Sequence, residues 1–199
     1  LPKYVRDTVR LPRKLTEKDF QVKASHQKNH VEVKLPSYSR PEKKALLPVR
    51  SGYVQCDPAQ QITKLAVVER HTGKGGMGIG FVQGLGFLEG AVACTISHDA
   101  HNLIVVGGSD GDMAAAANRC AELGGGLVVV HQGSVLAELP LPIGGLMSDL
   151  PAEEVRRKLA ACDKAARGLG SADWLGDNPT MILIYLVLTA ANRQTITEK

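Results

Sequence analysis

Between residues 60 and 142 the chain is a succession of short apolar runs cut by glycine, and this pattern limits the fold more than any other feature. "GAVACTI" (90–96) and "LIVVGG" (103–108) are short, apolar and bounded by turn residues, as strands buried on both faces are. "QQITKLAVVERH" (60–71) reads as a long strand, "TGKGGMGIG" (72–80) as a glycine turn and "FVQGLG" (81–86) as strand again, a hairpin with a long loop. "GLVVVHQGSVLAELPLP" (126–142) reads as strand, turn at Gln132–Gly133, strand. Aromatic residues make up only 4% of a chain that is 44% hydrophobic, so Val, Leu, Ile and Ala must build the core. The 21 glycines cluster in 73–90 and 107–146, where they signal tight turns.

Two helices stand out. Ser109 can cap the first, Asp110 and Asp112 suit its positive N-terminal end, "MAAAANRCAEL" is strongly helix-forming and Gly124 stops it. The second spans 151–170, with Asp149 as cap, Pro151 in the first turn and Gly168 or Gly170 at its end. Nearer the start, "TEKDF" (16–20) reads as one helical turn with Thr16 as cap and Asp19 three positions on. "HVEVKLP" (30–36) reads as a strand and 37–45 as a polar loop. "TMILIYLVL" (180–188) reads as a final buried strand; the apolar run 181–191 is half the roughly 20 residues a membrane span needs. The expected fold is mixed α/β (α+β): a mixed β-sheet with two long helices, Gly-rich hairpins and a basic N-terminal extension. Residues 1–50 form the extension or linker and 51–199 the domain.

Charge is uneven. Residues 1–50 carry 13 Lys/Arg against 5 Asp/Glu, and the remainder 11 against 15. The basic residues are scattered singly without interleaved aromatics, as on a solvated face, so nucleic-acid binding is the weaker reading. Four widely spaced cysteines (Cys56, Cys94, Cys120, Cys162) without a C-x-x-C fit a reducing cytoplasm. The chain starts at Leu1 and stops at Lys199 just after an apolar run, so a fragment of a longer protein is expected.

Three stretches bear on chemistry. "GKGGMG" (73–78) fits G-x-G-x-x-G in form, but the residues after it are not helical and no Gly-Lys-Ser/Thr closes it. Gly73, Gly75, Gly76 and Gly78 instead read as a hairpin tip able to act as a lid. "SHDAHN" (97–102) places two histidines and a carboxylate between two buried strands. It reads as a metal site, as a substrate-facing acid–base or hydrogen-bonding loop, or as a structural turn. The metal reading lacks ligands, since a structural zinc needs about four and a catalytic one about three. "LPLPIGGLMSD" (139–149) joins a strand to the second helix; Gly144–Gly145 allow close packing, and Met147 is expected in the core.

The ordered series "VVERH…GFVQGLGFLEGAVACTISHDAHNLIVVGGSDGDMAAAANRCAELGGGLVVVHQGSVLAELPLPIGGLMSD" resembles the C-terminal region of the microbial adenine deaminases of the amidohydrolase superfamily. The match runs from about Val67 to Asp149, with weaker likeness in the second helix and in "LPKYVRDTVRLP". The resemblance implies a metal-dependent cytoplasmic hydrolase of purine metabolism that converts adenine and water to hypoxanthine and ammonia. Its divalent metal (manganese, iron or zinc) sits in a β/α barrel and lowers the pKa of a bound water. The ligands, including an H-x-H pair, lie upstream; this chain has no H-x-H. It implies partners of the same kind: a barrel domain of the same or another subunit, adenine, and further copies in a homo-oligomer, with no membrane. His98, Asp99, His101 and Asn102 match the family's H-D-S-H-N and are expected to support the active site. Cys94 and Ala100 stand where the family has hydroxyl residues, and "NPTMILIYLVL" lacks the polar content of the family's "PFMTLSF". The alternatives are a non-catalytic assembly or stability domain and a diverged, inactive homologue.

Overall fold

The computed structural model describes residues 2–6, 8–24, 30–35, 43–98 and 100–185. Four strands, β1 (Val22–Lys23), β2 (His30–Leu35), β3 (Lys43–Arg50) and β4 (Tyr53–Val54), form a small sheet in the order β1-β4-β3-β2. Six more, β5 (Ile62–Val68), β6 (Met77–Gln83), β7 (Ala91–Cys94), β8 (Leu103–Gly107), β9 (Gly126–His131) and β10 (Ser134–Pro140), form the main sheet in the order β10-β9-β7-β8-β5-β6. Helices α1 (Asp110–Glu122) and α2 (Ala152–Gly168) pack on its opposite faces, and a short α3 (Ile182–Tyr185) follows.

The continuous apolar runs are buried on both sides, and alternate residues divide between two cores. Val92, Cys94, Ile104, Val106, Leu127 and Val129 face α2, where Cys162, Ala166 and Leu169 meet them. Ala91, Ala93, Leu103, Val105, Val128 and Val130 face α1, where Met113, Ala116, Ala117 and Cys120 meet them. Small residues on both sides of the second interface let α1 lie close to the sheet. A fully buried Val or Leu stabilises by about 1.5–3 kcal/mol, so a core nearly free of aromatics still suffices.

The α+β class is as expected, but every described pairing is antiparallel rather than mixed. The reason lies in the α1 crossover. β8 and β9 run in the same direction, yet β7 lies between them and pairs with both, so no parallel neighbours arise. The Gln132–Gly133 turn is as read, with both residues at positive φ (50° and 76°), the two-residue geometry that suits a twisted hairpin. Ser109 Oγ accepts from Asp112 N at 3.3 Å. The Asp112 carboxylate accepts from Gln132 N and Gly133 N at 3.1 and 2.7 Å, which ties the helix start to that turn. Asp110 pairs with buried Lys64.

Three other expectations are corrected. Residues 180–185 are helical, a 3-10 turn (Pro179–Met181) running into α3, not strand. Pro179 suits a helix start, and Asp163 of α2 accepts from Thr180 N and Oγ1 at 3.3 and 2.6 Å, which fixes the turn against α2. Leu183 and Ile184 are buried while Met181 and Tyr185 are exposed. Residues 186–188 of the expected strand lie outside the described residues. The segment 43–45, read as loop, opens β3. Pro151, not Asp149, occupies the cap position of α2; Asp149 pairs with Arg6 at 2.8 Å.

Residues 11–20 lie against the α1 face. Leu15 and Phe20 enter the core there, and the Asn118 side chain both accepts from Leu15 N and donates to Leu15 O, each at 2.8 Å. Asn118→Ala strands two buried main-chain groups. It should cost about 1–3 kcal/mol in urea unfolding and expose residues 8–20 to proteolysis before the rest of the chain.

Candidate functional site

Strand register gathers four connections at one end of the main sheet: the 69–76 loop, the 95–102 loop, the α1–β9 joint and the 141–150 loop. Arg70, just past β5, stands among them at 1% exposure. Its Nε donates to His101 O at 2.5 Å, Nη1 to Thr8 O and Oγ1 at 2.8 and 3.3 Å, and Nη2 to Gly144 O at 3.1 Å. None of these partners is a carboxylate. Burial lowers the pKa of the guanidinium, but from so high a starting value that it stays charged. Carbonyl dipoles from three segments do the work a counter-ion does elsewhere.

The SHDAHN loop is held largely by its main chain. His101 N donates to Ser97 O at 2.8 Å, closing a turn, and His101 adopts the left-handed region at φ 52°. The ring Nε2 of His71 lies 2.8 Å from Ala100 O, so Arg70 and His71 grip consecutive carbonyls of the loop. His98 N donates to Ile184 O at 3.2 Å, which joins the loop to α3. The His98 side chain is exposed, its ring 6.4 Å from that of His101 and 5.8 Å from that of Tyr185. Asn102 and Ser97 are buried, and Ser97 Oγ has no hydrogen-bond partner among the described residues. Asp99 lies outside the described residues. Among the described residues, no three or more His, Cys, Asp or Glu side chains converge as metal ligands.

The 141–150 loop locks onto the same cluster. Thr95 Oγ1 donates to Gly145 O at 2.5 Å and accepts from Gly126 N at 2.9 Å. Gly144 and Gly145 both have positive φ, and a Cβ on Gly145 would lie 2.7–2.9 Å from the Arg70 guanidinium atoms. Met147 is 59% exposed, not in the core as expected, because the tight Ile143–Met147 turn projects it outward. The glycine-rich segment divides. Gly78 pairs within β6, Gly76 O accepts from Glu69 N at 2.8 Å, and Gly73 and Gly75 form the turn, Gly75 packed closely on Pro12.

Beside the loop lies an apolar cavity of about 460 Å³ between the sheet, α2 and the 179–184 segment. Cys94 lines it, and burial pushes that thiol up to about 12, which removes it as a nucleophile at neutral pH. No helix among the described residues is long and apolar enough to cross a membrane.

The sequence profile of the adenine deaminase C-terminal domain matches residues 39–199. The chain belongs to this family. It is 46% identical over 174 residues to the adenine deaminase of Moorella thermoacetica, 85% of this chain and 29% of that protein. It is 42% identical over 193 residues to that of Gluconobacter oxydans, 96% of this chain and 34% of the relative. With that of a Methylobacterium species (strain 4-46) it shares 56% over 124 residues, 62% of this chain and 22% of the relative. The chain thus spans about a third or less of these relatives' length.

Two of the three departures noted from the resemblance, Ala100 and Cys94, sit where the fold accommodates them. Ala100 is exposed and engages His71 through its carbonyl, so no side-chain hydroxyl is needed to hold the loop. Cys94 Sγ accepts from Ile96 N at 3.3 Å, filling a hydroxyl's place with a softer atom. The sequence singles out the candidate loop but not Arg70, Thr95 and Gly145, which hold it in place. The one local hint is a basic residue two positions past an apolar strand; its carbonyl partners carry no mark in the sequence.

The two glycines separate packing from backbone strain. Gly144→Ala meets no atom within 4 Å and should cost about 1–2 kcal/mol for left-handed backbone alone. Gly145→Ala should lose about 1–3 kcal/mol more through overpacking on Arg70. Equal losses in urea unfolding would remove the guanidinium contact as the reason.

Proposed function

We propose that this chain serves as the C-terminal domain of an adenine deaminase, which hydrolyses adenine to hypoxanthine and ammonia, and that His98, Asp99, His101 and Asn102 support or contact the purine site of the catalytic part. The observation that carries this reading is how the loop is held. Arg70, His71 and the turn bond fix it through the carbonyls of His101, Ala100 and Ser97, and this leaves the His98 imidazole exposed at the edge of the domain. Left-handed His101, buried Asn102 and an arginine kept charged without a carboxylate make an expensive arrangement for a turn that only joins two strands. The described residues do not supply a ligand set for a divalent metal. A divalent metal would be held by residues of the preceding part of the polypeptide, where it would lower the pKa of a water. This chain's contribution is to present hydrogen-bonding groups at a fixed position. The turn carrying Gly73 and Gly75 adjoins the loop through His71 and is the segment that would cover it.

The test is a chimera in which this chain follows the preceding part of the Moorella thermoacetica enzyme. His98→Ala and His101→Asn are the informative variants, since Asn tolerates the left-handed backbone that Ala would strain. Each should lower kcat/KM for adenine by up to about a hundredfold, the scale of a misplaced catalytic group, with metal content and Tm unchanged. Unchanged kinetics in both would favour the assembly reading, in which the domain stabilises the enzyme without touching its purine site.

A further inference from the structure

We propose that the apolar cavity and its rim are the surface on which the preceding, catalytic part of an adenine deaminase polypeptide docks; the proposal rests on the functional reading above. Cys94, Leu127 and Leu139 of the sheet, Val155 and Leu159 of α2, and Ile184 enclose the cavity. Met147 and Met181, 59% and 42% exposed, also line it, and Tyr185, 46% exposed, follows Ile184. An open apolar cavity edged by large exposed side chains is a surface that binding completes, and methionine adapts readily to a partner's shape.

Two observations identify the occupant. The cavity and the SHDAHN loop are one continuous face. Ile96, next to Ser97, lines the cavity, Ile184 O accepts from His98 N, and the rings of His98 and Tyr185 lie 5.8 Å apart. A partner whose purine site meets His98 therefore also meets the cavity rim. The N-terminal residues run to the same place. Gly144 N donates to Val5 O at 2.6 Å, Arg6 pairs with Asp149 at 2.8 Å, and Arg70 holds Thr8 O. Val5 and Arg6 are thus fastened to the 141–149 turn that forms one wall, and Thr8 to Arg70 beside it. In the relatives, where the matched part is the C-terminal domain, most of the polypeptide lies before it. The placement of Val5 and Arg6 would bring that part to this face. The other exposed apolar pair, Val135 and Leu136 on β10, carries a β-bulge between Val135 and Ala137, a feature that discourages edge pairing, and so provides a control.

The experiment places the photo-crosslinker p-benzoylphenylalanine at Met147, Met181 or Leu136 in the chimera of the Moorella thermoacetica preceding part and this chain, and reads crosslinked peptides by mass spectrometry. Positions 147 and 181 should crosslink to the preceding part of the same polypeptide, and 136 should not. Met147→Asp should leave the Tm of the 199-residue chain unchanged and lower that of the chimera. Absence of crosslinks at 147 and 181, crosslinks to a second copy, or equal yield at 136 would overturn the proposal. Should the chimera fail to fold, the aligned positions of the intact Moorella thermoacetica enzyme carry the same crosslinker and decide the matter. Deamination of adenine by the unsubstituted chimera is read in parallel. Activity without these crosslinks removes the docking face and keeps the functional reading; crosslinks without activity do the reverse.

Discussion

The interaction on which this end of the molecule depends is the burial of Arg70 among carbonyl oxygens. A guanidinium at 1% exposure is tolerable only where its donors are met. Here they are met by Thr8, His101 and Gly144, which lie 62, 31 and 74 positions away in sequence. Three segments that meet at the same end of the sheet are thereby fastened to one side chain. The planar fork suits this task in a way a lysine ammonium does not, because its donors point along fixed, separate directions. Gly145 follows as a consequence, since no side chain fits between its backbone and the guanidinium.

That convergence needs a sheet that delivers the right ends to the right place. The α1 crossover carries the chain from β8 past β7 to β9, so the β7–β8 loop emerges between the β5–β6 turn and the start of β9. Thr95, the first residue after β7, can then bond both the α1–β9 joint at Gly126 and the distant Gly145. Parallel pairing of β8 with β9 would have removed β7 from the centre and SHDAHN from its neighbours. The antiparallel sheet is what turns a short polar loop into the middle of a cluster.

Much of this was legible in the sequence, for local reasons. The buried strands β5, β7, β8 and β9 announce themselves as apolar runs, the Gln132–Gly133 turn by residues that accept positive φ, and α1 by Ser109 and its alanines. The candidate loop was legible because polar residues between two buried strands stand out. The failures are equally physical. An apolar run such as "TMILIYLVL" has no polar residues to reveal a period, and what decides 180–185 is Asp163 holding Thr180 from another helix. β3 was hidden by Pro48, which takes part in the small sheet through its carbonyl, accepting from Gln55 N at 2.8 Å. The three remote carbonyls that Arg70 meets leave no local trace of their own, because any residue can supply a carbonyl.

The misread segment and the candidate site are connected. In a strand, Ile184 O would be committed to a ladder partner. In the short α3 it lies among the last carbonyls of a helix, which have no partner within the helix, and is available to His98 N. The helical turn also sends Leu183 and Ile184 inward while leaving Met181 at the cavity rim and Tyr185 at the surface beside His98. The bond from Asp163 to Thr180 therefore acts at a distance. By fixing where the helical turn begins, it sets which carbonyl meets the histidine loop and which apolar side chains border the cavity. The polar loop and the apolar cavity are two consequences of one packing arrangement and share Ile184, whose carbonyl accepts from His98 N and which lines the cavity.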